Sequence, residues 1–318
     1  MRKILVTGAL GQIGSELTKK LRDVYGENNV IASNRRIKPG HEELIQSGPF
    51  EIVDINNGSQ ISEIVKKYNV NTVINLAAIL SAVGEKNPMD CWNINMNGLI
   101  NVLEIGREEN CAIFTPSSIA AFGPGTPPDN TPQDTIQRPT TMYGVTKVAG
   151  ELLCDYYFKK FGVDTRGVRF PGLISYATLP GGGTTDYAVH IYYDALKNNK
   201  YTSFIAKGTQ MDMMYMPDAL DGIIGLLEAD SSKLIHRNAF NITAMSFEPE
   251  EIAASIRKYM PGFEMNYDVD PVRQSIADSW PNSLDDSAAR EEWGWNPKYD
   301  LDAMTKDMLE KLKIKLNK

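Results

Sequence analysis

The 318-residue chain has few cysteines, few histidines and no excess of basic residues, and each shortage disfavours a class of function. Its three cysteines, Cys91, Cys111 and Cys154, are widely spaced and form no CxxC pair, so neither a disulfide framework nor a structural zinc site is predicted. Reduced core cysteines of this kind are typical of a cytoplasmic protein. The formal charge of −7 provides no basic face for nucleic acid or an anionic membrane, which favours a small-molecule ligand.

Long hydrophobic runs are also missing. No stretch is long and apolar enough to predict a membrane span, and the apolar run after Arg2 reaches a glycine too soon for a signal peptide. Hydrophobic residues nevertheless make up 42% of the chain, enough for a sizeable core. A chain of this length is expected to form one large domain and a smaller second one.

Short apolar runs alternate with amphipathic stretches through the first half of the chain. The apolar runs lie at 3–7, 29–33, 50–54, 71–77, 111–115 and 164–170. The amphipathic stretches lie at 12–25, 60–68, 95–107 and 140–161. This alternation predicts an α/β fold with a doubly wound parallel sheet of the Rossmann type, covered by helices on both faces. Ligands of such sheets bind at the carboxyl ends of the strands.

The alternation becomes irregular after Pro171, where a loop rich in glycine, proline and threonine begins. We predict a dinucleotide-binding Rossmann domain over residues 1–172 and a smaller mixed α/β substrate-binding domain over 173–318. Part of 213–245 repeats the pattern of a strand followed by a helix. This part is therefore expected to interleave with the first domain.

Three glycines follow the first predicted strand in "GALGQIG", at Gly8, Gly11 and Gly14, with Gln12 and Ile13 between the last two. GxxGxxG between a strand and a helix is a variant of the dinucleotide-binding fingerprint. The glycines permit a tight turn, let a diphosphate approach the backbone and let helix and strand pack closely. The helix N-terminus supplies N–H donors and positive potential.

The second predicted strand ends in Asn34 and Arg35, where an acid is expected in a protein specific for NAD. An asparagine side chain hydrogen-bonds ribose but does not repel a 2′-phosphate, and Arg35 favours one. NAD is the predicted cofactor, and NADP stays an alternative. Asp54 and Ile55 follow the third strand as candidate contacts to the adenosine, and a strand-end cap explains Asp54 equally well.

Tyr143 and Lys147 in "YGVTK" are four residues apart, so they project from the same face of a helix. An ammonium group beside a tyrosine stabilises the phenolate, which then acts as a general base. The same spacing also occurs on solvated helix faces. The glycine fingerprint upstream and the serines of "TPSSIAAFG" between the two motifs favour a catalytic pair.

These motifs together resemble the extended short-chain dehydrogenase/reductase family, the NAD-dependent epimerase/dehydratase-like enzymes, over nearly the whole chain. The resemblance is carried by "TGALGQIG", "NLAA" at 75–78, "NINMNGLINVLE" at 93–104, "TPSSIAAFG" at 115–123, "YGVTK", and "VRFPG" at 168–172. It implies that Tyr143 is the catalytic base, Lys147 its partner and Ser118 the catalytic hydroxyl. Ser117 is the nearest competitor for this last role, and strand alternation allows only one of the two serines to face the site. The implied cofactor contacts also include Leu76, Ala77, Ala78, Asn95 and Pro171.

Three further stretches, at 77–88, 171–196 and 276–295, resemble the L-threonine 3-dehydrogenases within this family. This resemblance implies oxidation of L-threonine to 2-amino-3-oxobutanoate with NAD and without a metal, in threonine catabolism toward glycine. It also implies a homodimer formed through the helices at 95–107 and 140–161.

The same resemblance implies that the substrate contacts Ser81, Ser118, Tyr143, Thr184, Thr185 and Asp186. Asp186 has two possible roles, pairing with the substrate ammonium or ordering its own loop, and the threonines also suit a turn before a helix. Gly181, Gly182 and Gly183 are expected to form a flexible hinge rather than a phosphate site. Trp280 either covers the pocket or anchors the second domain.

Two other functions stay open on the sequence alone. A nucleotide-sugar epimerase or dehydratase of the same family would share the cofactor site, but it would keep or regenerate its oxidised cofactor. A non-catalytic protein that senses the dinucleotide would have no need of Ser118, Tyr143 and Lys147 together.

Overall fold

The computed structural model describes residues 2–179 and 181–317. Its strands are β1 (Ile4–Thr7), β2 (Val30–Asn34), β3 (Phe50–Ile52), β4 (Thr72–Asn75), β5 (Ala112–Phe114), β6 (Ser117–Ser118), β7 (Thr165–Arg166), β8 (Val168–Phe170), β9 (Gly172–Ile174), β10 (Lys200–Ser203), β11 (Met211–Tyr215), β12 (Phe240–Asn241), β13 (Met245–Phe247) and β14 (Glu264–Tyr267). Its α-helices are α1 (Gln12–Tyr25), α2 (Glu42–Gln46), α3 (Gly58–Tyr68), α4 (Ser81–Lys86), α5 (Pro88–Trp92), α6 (Gly98–Glu108), α7 (Met142–Phe161), α8 (Tyr187–Asn198), α9 (Met216–Glu228), α10 (Pro249–Tyr259), α11 (Pro271–Ala277), α12 (Ser287–Trp293) and α13 (Leu301–Lys315). A π-helical turn at Asn93–Asn97 leads into α6.

The central sheet has the strand order β3-β2-β1-β4-β5-β7, and all of its neighbouring strands are parallel. This arrangement confirms the predicted doubly wound sheet. The direction of winding reverses between β1 and β4, which pair from Ile4 with Thr72 to Thr7 with Asn75. The loops that follow these two strands diverge at their carboxyl ends, and the crevice between them is where such folds bind ligands.

Alternate residues of β1 face opposite sides of the sheet, and both sides are covered. Ile4 and Val6 lie in a buried cluster with Leu17 of α1, whereas Leu5 lies in a second cluster with Val102 of α6. Strands that are buried on both faces read as continuous apolar runs, which is why the sequence pattern was clear here.

The predicted sixth strand at 164–170 is divided by Gly167 into two short strands. A Cβ at Gly167 would lie 2.5 Å from the carbonyl oxygen of Thr115, and its N–H donates to the carbonyl of Arg237 at 3.0 Å. β7 therefore stays in the central sheet, while β8 pairs with β6 and β12. This second pairing sets Ser118 beside Phe170 at the edge of the crevice.

The second half of the chain builds its own core around α8, which buries Tyr187 and Tyr192 completely. The methionine-rich strand β11 is buried between β9 and β13. β12 pairs with β8 of the first half of the chain, and both the interleaving and the boundary at residue 172 stay predictions. Within residues 2–179 and 181–317, no helix has the length and apolar character that crossing a membrane requires.

Candidate active site

The glycine loop connects β1 to α1 at the centre of the crevice. Gly8 has a φ of +67°, and a Cβ on it would lie 2.9 Å from backbone atoms of Leu76 and Ala77. A Cβ on Gly14 would lie 2.3 Å from the carbonyl oxygen of Gly8. Both positions therefore require glycine, one for its backbone conformation and close contact and the other for close contact alone.

The crevice contains a large cavity, here called the main cleft. The first turn of α1 forms part of its wall. Gly11, Gln12, Ile13 and Gly14 line this wall, and the N-cap residue is Gly11, which has no side chain to cap the N–H groups at the start of the helix. The side-chain amide nitrogen of Gln12 is buried and has no hydrogen-bond partner among the described residues. Donors of this kind, at the positive end of a helix, fit the diphosphate of a dinucleotide.

The predicted ribose and adenine contacts are brought together in an adjoining compartment of about 280 Å³. Asn34, Arg35, Asp54 and Ile55 all line it. The side-chain amide of Asn34 donates to the carbonyl of Arg36 at 2.8 Å, and Arg36 also lines the compartment. The strand that carries Asn34 is followed by the exposed Arg35 and Arg36, which form a basic rim on this compartment.

Lys38 and His41 also line the cleft, although the sequence did not single them out for the site. The ammonium group of Lys38 donates to the carbonyl of Leu10 at 3.2 Å, and its side chain lines both compartments. Burial, together with the neighbouring Lys38, lowers the pKa of His41 below its ordinary value. A lysine in an exposed loop carries no sequence signal, because only the fold returns this loop across the glycine loop.

The segment after β4 forms the floor of the cleft, where Leu76 and Ala78 line both compartments and Ala77 lines the adjoining one. Asn95 lies behind this floor and outside the main cleft. Its side chain accepts the N–H of Ile79 at 2.8 Å and donates to the carbonyl of Ile79 and to the hydroxyl of Thr146, both at 3.1 Å. Asn95 thus connects the segment after β4 to α7 rather than facing the cleft.

Tyr143 and Lys147 lie in the first two turns of α7, and the side chain of Thr141 caps this helix by accepting the N–H of Gly144 at 3.1 Å. The ammonium nitrogen of Lys147 lies 5.2 Å from the centre of the Tyr143 ring and donates to the carbonyl of Pro116 at 2.6 Å. Tyr143, Lys147 and Ser118 all line the main cleft.

The two neighbouring serines differ in what their hydroxyl groups contact. The hydroxyl of Ser117 donates to the carboxylate of Glu151 on α7. The hydroxyl oxygen of Ser118 accepts the N–H of Ala120 at 3.2 Å at the edge of the cleft, beside Tyr143. Both serines line the main cleft, but the hydroxyl of Ser117 is already bound to Glu151, so the hydroxyl of Ser118 is the one more available to a ligand.

The predicted substrate contacts converge on the opposite wall of the cleft. Ser81 begins α4 and is buried, and Thr184 is only 1% exposed. The hydroxyl of Thr184 has no hydrogen-bond partner within the part of the chain that the structure describes. Thr185 packs on Gly172, where an added Cβ would lie 2.7 Å from its methyl group. A buried hydroxyl without a partner in the wall of a cleft is suited to a polar ligand.

Asp186 orders the loop that precedes α8. One of its carboxylate oxygens accepts the N–H groups of Gly182 and Gly183, at 2.8 and 2.5 Å. Burial raises the pKa of the Asp186 carboxyl, and the two N–H donors partly oppose this shift. Of the two predicted roles, loop ordering is the one with observed contacts. Gly182 has a φ of +99°, while Pro180 lies outside the described residues.

The main cleft has a volume of about 480 Å³, within the range typical of small-molecule sites. Pro171 lies on its wall, and Trp280 packs beside Tyr143 and Ala120 at its rim. Trp280 also contacts the cluster formed by Ile119, Phe122 and Leu284. It therefore both covers the pocket and connects the C-terminal region to the first half of the chain.

A metal centre has no set of ligands in residues 2–179 and 181–317, because no three acidic, histidine or cysteine side chains lie close enough together. The three cysteines are buried and unpaired, and burial raises the pKa of Cys111 to about 11. Independence from metal stays a prediction for an activity assay.

Comparison with known proteins agrees with this arrangement. The profile of the NAD dependent epimerase/dehydratase family matches residues 4–243. The chain belongs to this family. The family uses a nicotinamide dinucleotide, and the close glycine turn and the start of α1 fit the diphosphate of that cofactor.

Relatives within the family are similar over almost their whole length. An uncharacterized epimerase/dehydratase of Staphylococcus saprophyticus is 59% identical over 315 residues, which cover 99% of this chain and 98% of the relative. The X-ray structure of an L-threonine dehydrogenase from Clostridium difficile is 70% identical, with a TM-score of 0.98 over 99% of this chain and 98% of the other. A monomeric L-threonine 3-dehydrogenase from a metagenome is 45% identical, with a TM-score of 0.93 over 99% of this chain and 100% of the other. The predicted resemblance is thereby confirmed.

Proposed function

We propose that this chain oxidises the β-hydroxyl of L-threonine to a ketone, giving 2-amino-3-oxobutanoate, with NAD as the electron acceptor. The observation that carries the proposal is the position of Ser118, Tyr143 and Lys147 in one cleft, between the glycine loop and the buried hydroxyl of Thr184. Similarity to a threonine dehydrogenase at 70% identity supports this substrate.

Tyr143 is the proposed general base. As a phenolate it takes the proton of the substrate hydroxyl, while the hydroxyl of Ser118 hydrogen-bonds the same oxygen and fixes its position. Lys147 stabilises the phenolate, because the carbonyl of Pro116 holds the ammonium group beside the Tyr143 ring. The low exposure of Tyr143 keeps water from competing for this proton.

The dinucleotide, when bound, supplies the acceptor for the hydrogen and two electrons that leave the β-carbon. The N–H groups at the start of α1 are assigned to its diphosphate, and Lys38, whose ammonium group donates to Leu10 of the same loop, adds a cation beside that position. Asn34, Asp54 and Ile55 are assigned to the adenosine. NAD is the proposed form because it is the cofactor of the family, while the basic rim at Arg35 also admits a 2′-phosphate.

The charged ends of the amino acid require small polar groups on the wall opposite the cofactor. Ser81, Thr184 and Thr185 are the proposed contacts, and Thr184 has an unpaired buried hydroxyl to offer. Asp186 is assigned to the loop, since its carboxylate already accepts two N–H groups. It positions Thr184 and Thr185 rather than binding the ammonium directly.

The composition of the cleft disfavours a nucleotide sugar as the substrate. A second diphosphate would require cations on the substrate side. Among the described residues that line the main cleft, the lysines are Lys38 and Lys147, and the cofactor and Tyr143 account for both. An amino acid, which carries one carboxylate and one ammonium group, needs no such cluster.

A homodimer is the proposed assembly. Exposed apolar side chains lie on α5 and α7, among them Met89, Leu152 and Tyr156, and Leu152 is 63% exposed. A second copy of the chain would cover this face. Sedimentation equilibrium measures the mass directly, and a monomer at micromolar concentration would contradict the dimer, as the monomeric relative illustrates.

The decisive experiment replaces Tyr143 with phenylalanine. Loss of a general base is expected to lower kcat with L-threonine and NAD by about 10²- to 10⁴-fold. Reduced cofactor is measured by its absorbance, and NADH binding by fluorescence titration serves as the control and is expected to persist. Undiminished turnover in the variant would contradict the assignment.

The same assay separates the alternative functions. An epimerase returns its electrons to the substrate, so it would not accumulate NADH with L-threonine. A non-catalytic sensor would bind NADH equally well with either residue at position 143 and show no turnover with any amino acid.

A further inference from the structure

A buried ion pair lies directly behind the catalytic residues and has no part in the chemistry described above. Glu151 follows Lys147 by one turn of α7, and Arg169 lies on β8. Their side chains are 9% and 8% exposed, and two contacts join them, from Nη2 to Oε2 at 2.9 Å and from Nε to Oε1 at 3.1 Å. Such a two-point contact fixes both distance and orientation.

Each member of the pair has further partners. The carboxylate of Glu151 also accepts the hydroxyl of Ser117 and the side-chain amide of Gln137, the latter at 2.8 Å. The guanidinium of Arg169 donates to the side chain of Asn241 at 3.0 Å. Both carboxylate oxygens of Glu151 are therefore engaged by donors within the protein, and neither is left for a substrate.

The position of this network gives it a different role. It connects α7, which carries Tyr143 and Lys147, to β6, which carries Ser118. Both serines line the cleft, and because the hydroxyl of Ser117 is bound to Glu151, the hydroxyl of Ser118 is left for a ligand. The residue before Ser117 is Pro116, whose carbonyl holds the ammonium group of Lys147. The contact between Ser117 and Glu151 thus fixes both the serine and the lysine relative to the helix.

We propose that Glu151 is a positioning residue, which acts through Ser117 to hold Ser118 and the Lys147 anchor in their reactive places. The inference rests on the proposed function, because Glu151 itself carries out no chemistry and only positions the groups that do. It also explains why two adjacent serines differ in role: one is bound to the buried carboxylate and the other is left to the substrate.

The test removes one contact at a time. Ser117→Ala deletes the hydroxyl and leaves the ion pair, Ser117→Thr restores a hydroxyl, and Glu151→Gln removes the charge with little change in shape. Asp155→Asn, one turn further along α7, is the matched control, because its carboxylate accepts only from Asn238 among its hydrogen bonds in the structure. Thermal unfolding of each variant measures how far stability changes.

We expect Ser117→Ala to lower kcat by about tenfold, less than the roughly hundredfold cost of a 1 Å displacement of a reacting group. The KM for L-threonine and the Kd for NADH should stay within about twofold of the parent values. A loss in kcat with KM and Kd unchanged would place the effect on the reacting groups rather than on ligand binding. Ser117→Thr should recover most of the lost kcat, and Asp155→Asn should leave kcat unchanged.

A double variant tests whether Ser117 acts through Glu151. If it does, Ser117→Ala should lower kcat only slightly further in the Glu151→Gln background, because the contact between residues 117 and 151 is already weakened. If the losses in kcat from the two substitutions are fully additive in the double variant, the proposal is overturned, because the hydroxyl of Ser117 would then act on the reacting groups itself. Unchanged kcat in Ser117→Ala would overturn it as well, and would leave the network a purely structural one. If Glu151→Gln does not fold, Ser117→Ala and Ser117→Thr decide the question alone.

Failure of this inference is distinguishable from failure of the proposed function. If threonine oxidation is not the activity, the parent protein itself produces no NADH with L-threonine. If only the positioning role is wrong, the parent turns over, Tyr143→Phe abolishes turnover and Ser117→Ala retains it.

Discussion

Two glycine-rich segments line the cleft, and their glycines differ in how much space surrounds them. In the loop after β1, a Cβ on Gly8 or Gly14 would collide with backbone atoms 2.9 and 2.3 Å away. In the loop before α8, a Cβ on Gly182 would meet nothing within 4 Å, and on Gly181 the nearest atom, on Leu80, would be 3.8 Å away. The first segment is packed against its surroundings, whereas Gly181 and Gly182 of the second have open space around them and only Gly183 is close to a side chain, that of Asp186 at 3.0 Å.

This difference explains how each side of the cleft keeps its shape. The cofactor side is held by direct packing of α1 on the turn, which leaves no room for a side chain. The substrate side is held by one carboxylate, that of Asp186, which accepts the N–H groups of Gly182 and Gly183. A packed wall is preformed, whereas a loop held by a few hydrogen bonds is easier to open.

The largest effect is expected on the packed side. Gly14→Ala places a methyl group against the carbonyl of Gly8, so it should lower the free energy of unfolding by about 1–3 kcal/mol. It should also weaken NADH binding at least about tenfold, because the start of α1 moves away from the diphosphate. Thermal denaturation and fluorescence titration measure the two effects.

The matched control for this variant is Gly181→Ala on the open side. The added methyl group meets only the flexible side chain of Leu80, so stability should change by about 0.5 kcal/mol or less. Equal losses in the two variants would contradict the contrast between the packed and the open glycines.

Asp186→Asn tests the substrate side. The neutral side chain is a weaker acceptor for the two glycine N–H groups, so the KM for L-threonine should rise about fivefold with the Kd for NADH unchanged. A parallel loss of NADH affinity would show that the two sides of the cleft are not held independently.

The same variant has a second readout in pH. Burial raises the pKa of Asp186, so from the ordinary value near 3.8 upward the folded state binds more protons than the unfolded chain. Its contribution to stability is therefore greatest below that value and is lost as the pH rises through the folded-state pKa. In Asp186→Asn this part of the pH dependence should disappear, which denaturant unfolding at a series of pH values measures.

The smallest effect is expected at the adenosine end. Asn34→Asp places a carboxylate beside the expected ribose, so it should shift the ratio of kcat/KM for NAD over NADP by about three- to tenfold toward NAD. Initial rates with both cofactors measure this ratio. An unchanged ratio would mean that Arg35, Arg36 or Lys38, rather than Asn34, distinguishes the two cofactors.

Much of the cofactor side was predictable because its signals are local. The periodicity of the strands and helices, the GxxGxxG spacing and the four-residue spacing of Tyr143 and Lys147 all follow from neighbours along the chain. The division of the sixth strand at Gly167 was not predicted, because it depends on the carbonyl of Thr115, some fifty residues earlier in the sequence.

The roles of several side chains depended on distant partners in the same way. Lys38 enters the cleft because the chain after β2 folds back over Leu10. Asn95 faces away from the cleft because Ile79 and Thr146 satisfy its amide. The choice between Ser117 and Ser118 required Glu151, which no spacing rule connects to either serine.

The sequence by itself determined the class of fold, the family, the glycine loop and the identity of the paired tyrosine and lysine, because these follow from local periodicity and short motifs. The tertiary structure alone showed which serine is bound to the carboxylate of Glu151, that Asp186 accepts N–H groups of its own loop, and which glycines are closely packed. Each of these depends on contacts between segments far apart in the chain, where burial and hydrogen-bond geometry rather than residue spacing select the partner.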